Sequence, residues 1–381
     1  MLIFDNNPNV SPLYQRALSL LISKDFADKQ SGKVMLSEKQ HSEQENSRRE
    51  LLAVEEEAKQ EKIIEEYGKT HFKAQMMDSF FTQLLVQINN EFDNKESLYA
   101  NELRIENATS NILEILTLRA ASVNKIAPIV QSIPWLSDEL INLVNKPQYR
   151  KRADVQVTEN NLALSYVGLD NLKLVLPTFM LKHWLPTNTE PYPLLKRKLW
   201  NNALSVALAS KLLAQQYELD EFSAFTAGLF SNIGLLLIAR GVLNNFNEML
   251  KAKVKDAYDN RDKRLHDILT EIEMSPELLL EQYMEHNTQM SADIVELMRF
   301  DRLTITEPLF DLAIIDTIEK MHPIAQIVTK AKAYVMFRSL VKEELISNEE
   351  AKTLLSSVKL TPDDIVLLKG NDIDHIKLNF E

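Results

Sequence analysis

Ala227-Gly228-Leu229-Phe230-Ser231-Asn232-Ile233-Gly234 is an apolar octet with a hydroxyl and an amide set into it and a glycine near each end. Taken alone, Gly228 and Gly234 read as a close packing between helices followed by a helix C-cap. The octet lies in the second of two amphipathic helical segments, ~Pro193 to Gln216 and ~Asp220 to Ala239, which Glu218-Leu219-Asp220 separates. The first segment carries Leu199-Trp200-Asn201-Asn202-Ala203-Leu204-Ser205-Val206-Ala207, again an apolar run holding amides. Asn202, Ser231 and Asn232, directed inward, need partners such as water or a ligand, so a small polar cleft is expected there.

Outward from this pair the pattern stays helical. On the N-terminal side short helices are predicted at Thr109 to Leu118, Ser122 to Val130, Ser137 to Val144, Thr158 to Val167 and from Asp170 onward, each opened by a capping residue. Earlier still, Ser11-Pro12 reads as N-cap and first helical position. Ser37 to Tyr67 is rich in Glu, Lys, Gln and Arg with no proline or glycine, which predicts a long polar helix with a narrow docking stripe rather than a coiled coil. A further helix over ~Phe72 to Phe92 sets Phe72, Met76, Phe80, Leu84, Ile88 and Phe92 on one face, which the following domain or another subunit must cover. After Gly241 the chain turns charged through Lys251 to Arg264, and later breaks fall at Ser275-Pro276, Glu307-Pro308, His322-Pro323 and Thr361-Pro362.

Composition agrees. Seven glycines among 381 residues favour helices over glycine-punctuated β-meanders, and the absence of cysteine removes disulfides and thiolate metal sites. A formal charge of −12 opposes a nucleic-acid role, which relies on clustered Lys and Arg. The basic cluster Lys146 to Arg152 reads as a solvated loop more readily than as a phosphate-binding patch. No continuous apolar run exceeds that of Leu235 to Ala239, far short of the ~20 residues of a membrane helix. The opening Met1-Leu2-Ile3-Phe4-Asp5 lacks a basic leader and the apolar stretch of about 7 to 15 residues of a secretory signal, so the expected location is cytoplasmic.

Four landmarks stand in order along the chain. They are Ile141-Asn142-Leu143-Val144-Asn145-Lys146-Pro147-Gln148-Tyr149, then Ala163-Leu164-Ser165-Tyr166-Val167-Gly168-Leu169 with Leu172 and Leu174-Val175-Leu176, then the Leu199 to Ala207 segment, then the octet. Together they resemble the HD-related output domain, the HDOD family of bacterial signalling proteins. The resemblance implies an all-α, HD/HDOD-like multi-helical domain over 106–305, between an N-terminal helical region, 1–105, and a C-terminal helical extension, 306–381. Ile324 to Tyr334 in that extension resembles a helix that often trails the domain.

In the related HD phosphohydrolases a His on one helix and a His-Asp pair on another hold metal ions that activate water. Here the matching positions are Asn202, Ser231 and Asn232. Amide and hydroxyl oxygens are poor ligands for first-row metals and carry no charge. Three such losses imply at least ~10³ to 10⁶-fold in affinity, ~4 to 8 kcal/mol. The resemblance therefore implies no metal, no cofactor and no phosphohydrolase activity.

Other candidates are weaker. His286, after Glu285, is expected to line the vestigial pocket with Asn202, Ser231 and Asn232, or else to be a partly exposed helix residue. His183 reads as a helix-end cap whose charge suits the dipole. His266-Asp267 is an HD dipeptide displaced along the chain into a charged segment. Gly68-Lys69-Thr70 imitates the tail of a phosphate loop, but Ile63 stands where the first glycine is required and no strand precedes it.

The expectation is a non-catalytic signal-transduction module that binds a protein partner or a small signalling molecule, with its N-terminal helices available for homodimer formation. The alternative is a metal-dependent phosphohydrolase with a relocated site built from His183, His266, Asp267 and His286.

Overall fold

The computed structural model describes residues 1–32, 53–149 and 156–378, with side chains of the helix starting at Ala53 described from Thr70. The 37–52 part of the predicted polar helix and the 150–152 end of the basic cluster lie outside the described residues. Within them every regular element is helical. First come α1 (Leu2–Asp5), α2 (Ser11–Ile22), α3 (Lys24–Gln30), α4 (Ala53–Phe92) and α5 (Lys95–Ser97), the last running into a π-helical turn. The central run is α6 (Asn107–Thr117), α7 (Val123–Gln131), α8 (Pro134–Val144), α9 (Asn160–Val167), α10 (Leu169–His183), α11 (Leu195–Gln216), α12 (Glu221–Phe230), α13 (Ile233–Asp259), α14 (Lys263–Thr270) and α15 (Pro276–Leu297). The chain closes with α16 (Thr306–Ile314), α17 (Pro323–Lys342), α18 (Asn348–Ser357) and α19 (Pro362–Gly370).

Local chemistry sets these boundaries. Proline stands in the first helical turn of α15, α17 and α19, and in each the preceding residue caps with its side chain: Ser275 accepts from Leu278 N, His322 from Ile324 N and Thr361 from Asp364 N. The last is a capping box, as is Ser347 with Glu350 at the start of α18. The other ends are less familiar. With so few glycines, Glu218, Arg261, Glu344 and Lys359 take left-handed φ values of 53 to 57° two residues past the ends of their helices, just after the C-cap. The residue after each then bonds back: Leu219 N to Ala214 O at 2.9 Å, Asp262 N to Ala257 O at 2.9 Å, Leu345 N to Leu340 O at 2.8 Å, Leu360 N to Leu355 O at 3.1 Å. These are Schellman closures, and in three of them a buried or half-buried leucine supplies the apolar contact that offsets the left-handed cost.

At the centre, α11 packs between α12 and α17, and α13 lies against α15. The N-terminal helices are part of the same core, with α2 against α11, α15 and α17. The predicted helix over ~Asp220 to Ala239 is in fact two, broken at Ser231-Asn232, and the second continues through Gly241 and the charged stretch to Asp259. Taken together they are long and apolar enough to cross a membrane by composition, but their apolar window is wholly buried inside the fold.

The apolar face predicted over Phe72 to Phe92 belongs to the C-terminal half of α4, which is continuous through Gly68. Phe80, Leu84, Ile88 and Phe92 are buried on it. What covers them is the chain's own α13: Phe80 meets Phe246 edge-to-face at 5.7 Å, and a Cβ on Gly241 would come within 2.7 Å of the Phe92 ring. That face therefore gives no reason to invoke a partner.

A buried ion pair ties the C-terminal helices down. Lys330 on α17 reaches Asp364 on α19 at 3.1 Å, and Tyr217 at the end of α11 accepts from Lys330 at 2.7 Å and donates to Asp364 at 3.0 Å. Burial would raise the Asp364 carboxyl, but the Thr361 backbone N–H, Lys330 and Tyr217 outweigh it and hold the group below the usual aspartate range. Tyr217→Phe removes one charge-assisted donor while leaving the pair intact, so a loss of about 1–2 kcal/mol is expected in urea denaturation.

Candidate functional site

Asn202 projects from α11, and Ser231 and Asn232 form the break between α12 and α13. The break exists because both side chains turn back on the preceding helix: Ser231 Oγ donates to Gly228 O at 2.8 Å and Asn232 Nδ2 to the same carbonyl at 2.9 Å. Asn232 Oδ1 then accepts from Asn202 Nδ2 at 3.0 Å. The three residues expected to converge do so, satisfying one another. Gly228 and Gly234 hold the arrangement from either side. A Cβ on Gly228 would lie 2.6 Å from Ser210 Oγ of α11, and one on Gly234 only 2.0 Å from Asn287 O of α15. Gly234 is thus not a C-cap: it is the second residue of α13, at the closest approach of two helices.

Next to this cluster stands a residue the sequence reading passed over. Lys332 of α17 donates from Nζ to Ser231 O at 3.1 Å, and burial pushes its amine down to about 7, with no carboxylate offsetting the shift. On the α15 side, Ser291 Oγ accepts from Gly234 N at 2.8 Å, and Asn287 faces Tyr14 OH at 3.5 Å while its buried Oδ1 has no partner among the described residues. Asn202, Asn232, Asn287 and Lys332 line a cleft of about 620 Å³ together with Tyr14 and Leu18 of α2. The only sequence signal for Lys332 was its setting, a cation between Ala331 and Ala333 in an otherwise apolar stretch that runs on to Phe337.

His286 is not in this cleft. It packs edge-to-face on Phe92 at 5.6 Å and lines a separate small pocket with Lys95 and Asp293. Successive helical residues point about 100° apart, so the α15 register that turns Asn287 into the cleft turns His286 toward α4. His183 is the last residue of α10, as expected, but it stacks on Trp135 with ring centroids 4.1 Å apart, and burial holds its imidazole below the ordinary histidine value. Its dipole role therefore works against the burial of a charge. His266 and Asp267 lie 3.6 Å apart on α14, Asp267 being exposed. The geometry does not assemble these residues: among the described residues no group of three or more His, Asp or Glu is placed to hold a metal ion.

The scaffold is all-helical, and its central helices present amides and a lysine at their point of convergence. The model of the HDOD domain matches residues 104–298, just over half of the chain, which belongs to the HDOD family. No curated protein matches it. Among solved structures it is similar to a Shewanella amazonensis SB2B protein described as "Putative phosphohydrolase", at 17% identity and a TM-score of 0.46, covering 73% of this chain and 91% of that one. It is likewise similar to an HDOD domain protein of unknown function from Geobacter sulfurreducens, at 17% identity and a TM-score of 0.41, covering 70% and 87%.

Proposed function

We propose that the chain is a non-catalytic regulatory module of signal transduction, in which the HDOD scaffold presents a metal-free cleft for a ligand. The observation that carries this reading is the Lys332 ammonium, 3.1 Å from Ser231 O beside the cluster of Asn202, Ser231 and Asn232. An amine that is still partly protonated at neutral pH repels a divalent cation there, and uncharged amides already bonded to each other offer it little in return. Water activation of the HD type needs the opposite arrangement, a cation held by imidazole and carboxylate.

The test is metal content together with hydrolysis of a generic phosphodiester and of nucleotides, with manganese, magnesium and zinc added in turn. Less than about a tenth of an equivalent of bound metal and no turnover above the protein-free rate are expected. Stoichiometric metal, with turnover abolished by His286→Ala or His266→Ala, would restore the relocated phosphohydrolase site in place of this reading.

A further inference from the structure

We propose that the cleft receives a small organic phosphate, its dianionic head against Lys332 and its organic body against the apolar wall of α2. This deepens the binding-module reading and rests on it.

The first observation is charge. The chain as a whole is at −12, yet Arg197, Lys198, Lys332 and Lys342 line this one cleft, and among the described residues none of them forms an ion pair. Two acids share the wall: Asp374 is paired with Arg338, a fifth lining cation, and Glu343 lies near Lys24 at 3.9 Å and also acts on Lys198, so five cations face two acids there. An excess of that size suits a dianion better than a single carboxylate, and a concave low-dielectric site focuses it.

The second is hydrogen-bonding capacity. An ammonium has three donors, and Lys332 Nζ uses one, on Ser231 O. Phosphate oxygens fill such vacancies with charge-assisted bonds, and Asn202 at the same wall adds a polar group that orients the head. The third is shape. About 620 Å³ is far more than a bare phosphate needs and falls in the ordinary range for small-molecule sites. Beyond the cations the wall is Leu18, Leu20 and Leu21 of α2, with Val335 and Met336 of α17, which offers an organic group apolar cover.

Calorimetric titration of the full chain in EDTA tests this, using AMP, inorganic phosphate and adenosine as probes. AMP is expected to bind one to one, phosphate more weakly, and adenosine not detectably. Lys332→Met is expected to weaken AMP at least tenfold and Arg197→Gln, at an exposed rim position, severalfold. Absence of binding by both AMP and phosphate, or AMP binding unchanged in both variants, overturns the proposal. Phosphate binding as tightly as AMP overturns the organic part, leaving a site for the bare anion. AMP that binds in EDTA but is hydrolysed once metal is added would sink the non-catalytic reading while this one stands.

Discussion

Gly234→Ala is expected to cost about 3 kcal/mol or more of stability, the largest loss for the smallest change in the molecule. The added Cβ would lie 2.0 Å from Asn287 O and 2.8 Å from Asn287 C, and both are backbone atoms of α15 that cannot rotate away. Relief requires α13 and α15 to separate at their tightest point, which also lengthens the bond from Gly234 N to Ser291 Oγ, now 2.8 Å. Ile233, Leu235 and Leu236, all buried, lose packing with that movement, and overpacking of well-filled cores typically costs about 1–3 kcal/mol before backbone displacement is added. Gly228→Ala serves as the comparison. Its closest obstacle is Ser210 Oγ at 2.6 Å, the end of a side chain that can turn, so a smaller loss is expected. Urea denaturation of the two variants beside the parent decides it, and a Gly234→Ala midpoint equal to that of Gly228→Ala would contradict the close-approach argument.

The same region shows what could be read without the structure. The octet Ala227 to Gly234 and its partner Asn202 were legible through the ordered landmarks that resemble the HDOD family, since each segment alone reads as ordinary helix core. Helix starts were legible at Pro276, Pro323 and Pro362 because proline and its capping neighbour act within one turn. The end of α11 at Gln216 was legible from the break at Glu218-Leu219-Asp220, but the ends before Arg261, Glu344 and Lys359 were not, since these residues adopt a conformation usually left to glycine. The break at Ser231-Asn232 was hidden because the apolar run continues across it on both sides. His286 is the partly exposed helix residue that was one of its two readings, and its pocket reading fails by a single residue: local pattern could not tell whether it or Asn287 faced the cleft. Lys332 was missed because it lies about a hundred residues along the chain from Ser231, and only the packing of α17 on α11 and α12 brings them together.

That lysine supports the second large prediction. Burial holds its amine at about 7 in the folded chain against an ordinary value of 10.5, so between those pH values the unfolded chain binds a proton that the folded chain does not. Stability therefore rises with pH across that window, by up to ~1.4 kcal/mol per unit, and below about 7 the full penalty of a buried charge is present. Lys332→Met removes the penalty and fills the same volume with an apolar chain, losing only the bond to Ser231 O. At pH 7 or below the variant is expected to be more stable by about 2–4 kcal/mol, the range allowing for that lost bond and for partial solvent access to Lys332. The advantage should shrink toward pH 10, since the parent gains stability over that interval and methionine does not titrate. The Met1 ammonium, bonded to Asp5, is lowered by burial and to a smaller extent by Lys332, so Lys332→Met relieves that repulsion as well and adds to the variant's advantage at low pH. A variant less stable than the parent, or a difference constant with pH, would show that the amine is not held neutral by its surroundings. A residue that costs the fold this much makes sense where a bound anion returns the loss. In thermal unfolding at pH 7, AMP should therefore stabilise the parent clearly more than Lys332→Met, because the variant keeps Arg197, Lys198 and Lys342 but lacks the buried amine against which the anion's head would sit.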